Sequence, residues 1–176
     1  MRKKMLFIVP PCVSVSELIP DENRTFSSKI RKEIPLGVLS LATYMEKYTQ
    51  SDVSILDLNL EFYELVNEGK IDAINTPEKY IKSFIMQLKD EQIDFCGISA
   101  IFSPAFGYIK IISKIIKEIF PTAIIVAGGG VPSNLMHEVF ASAPYIDVIS
   151  YGEGEIAIAG LVMAEDEKNI WRSLQV

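Results

Sequence analysis

At 176 residues, 49% of them hydrophobic, the chain is long enough for one domain with a sizeable core. Its formal net charge of -6 and its scattered lysines and arginines argue against a nucleic-acid partner, which needs clustered positive charge. No apolar run is long enough to cross a bilayer, and the run Met5 to Val9 is too short for a secretory signal. We therefore expect a cytoplasmic protein without a membrane partner.

The first third of the chain predicts two strands, a long loop and a helix. Met5 to Val9 is continuously apolar, as in a central parallel strand, and Pro10-Pro11 ends it. Residues 13–34 lack periodicity, and a loop of this length is usually functional or disordered, so a lid, a docking surface and disorder all stay open. Pro35 to Tyr48 predicts a helix, and Asp52 to Asn59 predicts the second strand.

The rest of the chain predicts strands that alternate with helices. A polar stretch with a short helix around residues 61–66 precedes the helix N-cap signature Thr76-Pro77-Glu78. Three strands are then predicted at Phe95 to Ala100, Ala123 to Ala127 and Ile146 to Ser150, with helices along Ile109 to Ile119, Ser133 to Ala141 and Ile156 to Glu165. Right-handed crossovers give an α/β fold of the flavodoxin-like or Rossmann-like kind, a doubly wound five-stranded parallel sheet in the order 2-1-3-4-5 with helices on both faces. We expect residues 1–165 to form this domain and residues 166–176 to be a tail or the start of a linker to a missing catalytic domain.

Small residues end the third and fourth strands. The third ends at Ser99 and Ala100, and the fourth ends at Gly128 to Gly130. Ligands of parallel α/β sheets bind at the carboxyl ends of the strands, and glycines let a ligand approach the backbone closely. The following Pro132-Ser133-Asn134 can open a helix whose free N–H groups favour an anion. These features predict a phosphate-bearing cofactor at this edge.

The sequence excludes several protein classes that commonly have this fold. A dinucleotide-binding glycine turn or a P-loop should follow the first strand, where Pro10 to Ser14 stand instead, and no acidic residues end that strand as in a phospho-receiver. Cys12 and Cys96 are the two cysteines, too few for an all-protein iron–sulfur or zinc site. The one histidine, His137, falls on a predicted helix and has no apparent triad partners.

Taken together, several segments resemble the N-terminal cobalamin (vitamin B12)-binding domain of cobalamin-dependent radical S-adenosylmethionine (SAM) enzymes. They are Leu6 to Pro11, Ile34 to Tyr44, Ile55 to Asp57, Cys96 to Ala100, Ala127 to Ser133 and Tyr151 to Glu155. The resemblance implies cobalamin as the cofactor. It leaves SAM and an iron–sulfur cluster to a separate or missing domain, because the three-cysteine motif of the radical domain cannot exist in a chain with two cysteines.

The resemblance also implies a set of cofactor-binding residues. Ser99, Phe102 and Ser103 would flank the nucleotide tail, Gly128, Gly129 and Gly130 would let its phosphate and sugar lie against the backbone, and Tyr151, Gly152 and Glu153 would close over its base. Pro11, Ala100 and Pro132 complete the set.

Two departures from the family pattern bear on function. No histidine follows the first strand, which implies base-off cobalamin without a protein histidine on the metal ion, and Val131 stands where many relatives have histidine. The expected function is the cobalamin-binding module of a methyltransferase or cyclase, not catalytic alone. Its expected partners are a downstream radical SAM domain or subunit and a small-molecule substrate. A flavodoxin-like nucleotide or flavin module and a non-catalytic interaction domain remain as alternatives.

Overall fold

The computed structural model describes residues 2–14, 30–70 and 76–164. Strands and helices alternate along most of this length. The strands are β1 (Lys4–Val9), β2 (Asp52–Asp57), β3 (Phe95–Ser99), β4 (Ile124–Gly128) and β5 (Val148–Ile149). The helices are α1 (Leu36–Thr49), α2 (Leu58–Asn67), α3 (Pro77–Met86), α4 (Ala105–Ile119), α5 (Gly130–Asn134), α6 (Met136–Ser142) and α7 (Gly154–Met163).

The five strands form one sheet in the order β2-β1-β3-β4-β5, and each neighbouring pair is parallel. This confirms the predicted fold and strand order. All carboxyl ends of the strands therefore lie at one edge, which we call the C-terminal edge. Connections from every strand converge there, so residues far apart in the sequence become neighbours.

Both faces of the sheet are covered because side chains alternate across it. In β1, Leu6 and Ile8 enter the core on one face, which packs against α2, α3, α4 and α6. Met5 and Phe7 enter the core on the other face, which packs against α1 and α7. Among the described elements, these two helices alone cover this face, and they flank a cavity at the C-terminal edge.

Three elements differ from the sequence-based expectation. The second strand ends at Asp57, whose carboxylate caps α2 directly by accepting a hydrogen bond from the Leu60 amide at 3.0 Å, so the short helix expected around residues 61–66 is the middle of a longer one. The helix expected at residues 133–141 is two helices, broken at Leu135. The fifth strand is two residues long, Val148–Ile149; shortly before it, the Ile146 amide donates to the Ala143 carbonyl at 3.0 Å, in a turn rather than in the ladder with β4.

Parts of the expected organisation fall outside the described residues. They are positions 15–29 of the long loop, positions 71–75 of the polar stretch before the third helix, the end of the last helix at Glu165, and the tail at residues 166–176. Within the described ranges, none of the helices has the length and apolar character needed to cross a membrane.

Candidate cofactor-binding site

Two adjoining cavities open at the C-terminal edge of the sheet. The inner cavity, of about 180 Å³, lies between the α1–α7 face of the sheet and those two helices. The rim cavity, of about 170 Å³, lies over the ends of β1, β2 and β3. Both are lined by Gly37, Val38, Ser99 and Ile101, which therefore form the partition between them.

The inner cavity exists because side chains are missing where the helices begin. Gly37 lies in the first turn of α1 and Gly154 opens α7, so each helix presents a residue without a side chain to this space at its start. The sheet contributes Gly128, where an added Cβ would stand 3.7 Å from the Ser150 Cβ. The result is a slot with apolar walls and a largely bare backbone at its mouth.

One buried hydroxyl in the inner cavity has no partner. Ser150 is 5% exposed, lines the cavity, and its Oγ makes no hydrogen bond within the described structure. Leaving a buried hydroxyl unsatisfied costs about 1–3 kcal/mol. Our sequence reasoning missed this residue, although a small polar residue at the end of the fifth strand, level with Ser99 and Gly128, was an available signal.

The glycine turn after β4 joins the ends of two strands. Gly129 has a φ of 101°, and a Cβ there would stand 2.8 Å from the Ala100 carbonyl oxygen. That oxygen accepts a hydrogen bond from the Val131 amide at 2.9 Å. The prediction of a helix that opens with free N–H groups at Pro132-Ser133-Asn134 is therefore wrong. Helix α5 begins earlier, at Gly130, and the Val131 and Ser133 amides donate to protein carbonyls.

The structure brings together most, though not all, of the residues singled out in the sequence. Those along the inner cavity are Ser99, Gly128, Gly129, Gly152 and Glu153. Those along the rim cavity are Pro11, Phe102 and again Ser99. The others line neither cavity: Ala100 and Pro132 are buried, whereas Ser103, Gly130 and Tyr151 are exposed.

The rim cavity contains a carboxylate and a buried amide. Burial raises the pKa of Asp57, although hydrogen bonds from the Leu60 and Asn59 amides act in the opposite direction. The Asn59 side chain accepts a hydrogen bond from the Cys12 amide at 2.9 Å and donates to the Arg31 carbonyl at 2.8 Å. It thereby fixes the cavity floor to the residues on both sides of the long loop.

The remaining candidate groups lie elsewhere. Cys96 is fully buried in β3, and burial raises the pKa of its thiol above the usual range, as expected for a core residue. His137 is exposed on α6 and lines neither cavity.

The model of one protein family, the B12 binding domain, matches residues 31–162. The chain is similar to the cobalamin-dependent radical SAM methyltransferase TokK of Streptomyces tokunonensis, with 37% identity over 51 residues, 29% of this chain and 8% of that protein. It is also similar to the anaerobic magnesium-protoporphyrin IX monomethyl ester cyclase of Synechocystis sp., with 27% identity over 168 residues, 94% of this chain and 28% of that protein. The cyclase of Cereibacter sphaeroides is 34% identical over 83 residues, 47% of this chain and 13% of that protein.

A solved structure shares the fold alone. The type II dehydroquinase from Butyrivibrio crossotus superposes with a TM-score of 0.52 and 13% identity, covering 93% of this chain and 99% of that one. The chain spans between 8% and 28% of the length of the curated relatives it matches. The family model covers most of the chain, and its description agrees with the resemblance seen in the sequence. The chain belongs to the family of B12-binding domains, whose cofactor is cobalamin.

Proposed function

We propose that this chain is the cobalamin-carrying module of a radical SAM enzyme of the methyltransferase or cyclase type, and that the nucleotide tail of cobalamin occupies the inner cavity. The observation that carries the proposal is the unpartnered Ser150 hydroxyl in a slot that glycines keep open. A ligand with both a flat apolar part and polar edges would satisfy that hydroxyl and fill the slot.

The residues present fit the tail of cobalamin, which comprises a phosphate, a ribose and a benzimidazole base. Val38 and Ile158 on the helices face Phe7 on the sheet, giving the apolar walls that a flat base needs. Ser99 and Ser150 supply hydroxyls for the polar edge of the base or the ribose. The bare backbone at Gly128 and Gly129 leaves room for the phosphate and sugar to approach the main chain.

The residues also favour the base-off form. The only histidine of the chain, His137, is on α6, where it lines neither cavity, so this chain offers the cofactor no imidazole. A base held between the sheet and α1 and α7 is likewise kept away from the corrin ring. When bound, cobalamin supplies the chemistry of its cobalt ion, while this chain holds the tail and orients the ring at the C-terminal edge.

The partner is proposed from the relatives. The relatives include a cobalamin-dependent radical SAM methyltransferase and two cyclases, and each is several times longer than this chain. We infer that a radical SAM domain or subunit, which would hold SAM and the iron–sulfur cluster, meets the cobalamin at the C-terminal edge and brings it a small-molecule substrate. Apolar side chains are exposed there: Leu36 is 71%, Phe102 53% and Tyr151 73% exposed.

Reconstitution with hydroxocobalamin tests this function. After incubation and desalting, the wild-type chain should stay coloured, whereas Ser99→Trp should bind at least about tenfold more weakly because the indole fills the partition between the two cavities. Ser83→Trp, an exposed change on α3, is the matched control and should bind like the wild type. The reduced Co(II) form should lack nitrogen coupling in its electron paramagnetic resonance spectrum.

Each part of the proposal can fail separately. A colourless wild-type protein would contradict cobalamin binding by this chain. Colour retained in full by Ser99→Trp would show that the tail lies elsewhere. Nitrogen coupling in the Co(II) spectrum would contradict the base-off form.

A further inference from the structure

The rim cavity lies where the ring of a corrinoid would rest if the proposed function holds. It shares Gly37, Val38, Ser99 and Ile101 with the inner cavity, so a ligand whose tail passes this partition carries its larger part to the mouth of the rim cavity. The two cavities are thus adjacent compartments at one edge of the sheet. A ligand with two chemically different parts could occupy both.

The mouth of the rim cavity is apolar and exposed. Four large hydrophobic residues lining it are more than half exposed: Ile34 at 73%, Leu36 at 71%, Ile101 at 56% and Phe102 at 53%. Contiguous exposed apolar side chains around a cavity mark a binding surface. A broad, flat macrocycle would cover them, and polar groups on its periphery would then point toward the cavity.

The Asp57 carboxylate in the rim cavity can accept further hydrogen bonds. The Asp57 carboxylate accepts hydrogen bonds from the Leu60 and Asn59 amides, and no lysine or arginine pairs with it among the described residues. An ionised carboxylate offers about four lone-pair sites, so about two remain. Its position as the N-cap of α2 does not require a charge, since asparagine and serine cap helices about equally well.

Burial of a charge that has no cationic partner among the described residues is unfavourable, and it accordingly raises the pKa of Asp57. A ligand that donates N–H groups would satisfy this carboxylate, whereas a ligand carboxylate would be repelled by it. The periphery of the cobalamin ring bears acetamide and propionamide arms, which are N–H donors of this kind.

We propose that Asp57 is a specificity-determining residue that accepts a hydrogen bond from a peripheral carboxamide of the corrin ring, so that the site prefers amidated corrinoids to those with a carboxylate at the same position. This inference rests on the proposed function. In the proposed function the protein recognises the nucleotide tail, and here it also discriminates between corrinoids by a peripheral group of the ring. The two can be separated because they use different cavities.

The test compares hydroxocobalamin with its three monocarboxylic acid derivatives, in each of which one propionamide is hydrolysed to a propionate and the tail is intact. Dissociation constants are measured at neutral pH by absorbance titration of the full chain. At least one derivative should bind the wild type about tenfold or more weakly than hydroxocobalamin, because it loses a charge-assisted hydrogen bond and gains a like charge.

Asp57→Asn keeps an N-cap acceptor and removes the charge, so the same ratio should fall below about threefold. Asp52→Asn, at the opposite end of β2 and outside both cavities, is the matched control and should keep the wild-type ratio. Asp57→Ser provides a second capping residue without the charge and should behave like Asp57→Asn. Thermal unfolding of each variant verifies that it is folded.

The outcomes separate this inference from the proposed function. Equal affinities of the wild type for all four corrinoids would overturn the inference and leave cobalamin binding intact, as would a tenfold preference preserved in Asp57→Asn and Asp57→Ser. A wild-type chain that binds none of the four would overturn both.

Discussion

At the scale of single residues, Ser150 distinguishes this site from an ordinary packing defect. Its hydroxyl is buried at the end of a short edge strand and has no partner in the described structure. Buried polar groups are nearly always hydrogen-bonded, so an exception needs an explanation. Ser150 also lines the inner cavity, and we therefore propose that a group of the bound ligand satisfies its hydroxyl.

We therefore expect Ser150→Ala to change stability and binding in opposite directions. Without cobalamin the variant should be about 1 kcal/mol more stable, because an unsatisfied hydroxyl is removed. Its affinity for hydroxocobalamin should fall about fivefold for the loss of one hydrogen bond. Thermal unfolding of the apoprotein and absorbance titration measure the two effects.

Ser113→Ala is the matched control for this variant. Ser113 is also buried, but its Oγ donates to the Lys110 carbonyl within α4, away from both cavities. Its substitution should not stabilise the apoprotein and should leave the affinity unchanged. If Ser150→Ala behaved like Ser113→Ala, Ser150 would not contact the ligand.

At the scale of elements, fixed connections hold the ends of the strands in place. The Lys117 ammonium donates to the Ala123 carbonyl at 2.6 Å and pairs with the Asp147 carboxylate at 2.8 Å, and that carboxylate also accepts from the Ile125 amide. This network ties α4 to β4 and to the start of β5. Beyond the other end of β5, the Ser150 amide donates to the Ala127 carbonyl at 2.8 Å, so Ser150 is held in position although the strand has only two residues.

The glycine turn after β4 gives a prediction at the same scale. Gly129→Ala places a Cβ against the Ala100 carbonyl at a positive φ, and should lower the free energy of unfolding by about 1–3 kcal/mol. The unfolding midpoint should fall by roughly 2–4 °C for each kcal/mol. Differential scanning calorimetry of the apoprotein measures this change.

Gly160→Ala is the control for the glycine turn, since Gly160 lies within α7 and an added Cβ meets nothing within 4 Å. Alanine is the better helix former, so this variant should be about 0.5–1 kcal/mol more stable than the wild type. A Gly129→Ala protein as stable as the wild type would show that the turn can relax.

At the scale of the whole molecule, the sheet is well packed on both faces and open at one edge. Core side chains such as Ile8, Ile98 and Ile125 are almost completely buried, while two cavities and an exposed apolar rim lie at the C-terminal edge. Under the proposed function, the cofactor completes part of the interior surface. The apoprotein should be the less stable form.

Cobalamin should accordingly stabilise the entire domain. At a free concentration about 100 times the dissociation constant, hydroxocobalamin should add about 2.7 kcal/mol to the free energy of unfolding. This corresponds to a rise of several degrees in the unfolding midpoint. Ser99→Trp, which should bind at least about tenfold more weakly, should show at most about half of this rise at the same concentration. An equal rise would mean that the stabilisation arises elsewhere.

The sequence by itself determined the fold, the strand order and the edge of the sheet at which the two cavities open. Apolar runs and helical periodicity are local signals, and right-handed crossovers leave few arrangements for alternating strands and helices. The small residues Ser99, Gly128 and Gly129 could be expected to line one cavity because parallel strands bring their carboxyl ends together.

Only the tertiary structure decided which residues share a cavity. Ser103, Gly130 and Tyr151 were equally plausible in the sequence, yet they line neither cavity, whereas Ser150 and Asp57 line one each. The cavities depend on where α1 and α7 start relative to the strand ends, and on which side chains those starts lack. That is a property of elements distant in the sequence packed against one another, and local sequence patterns do not specify it.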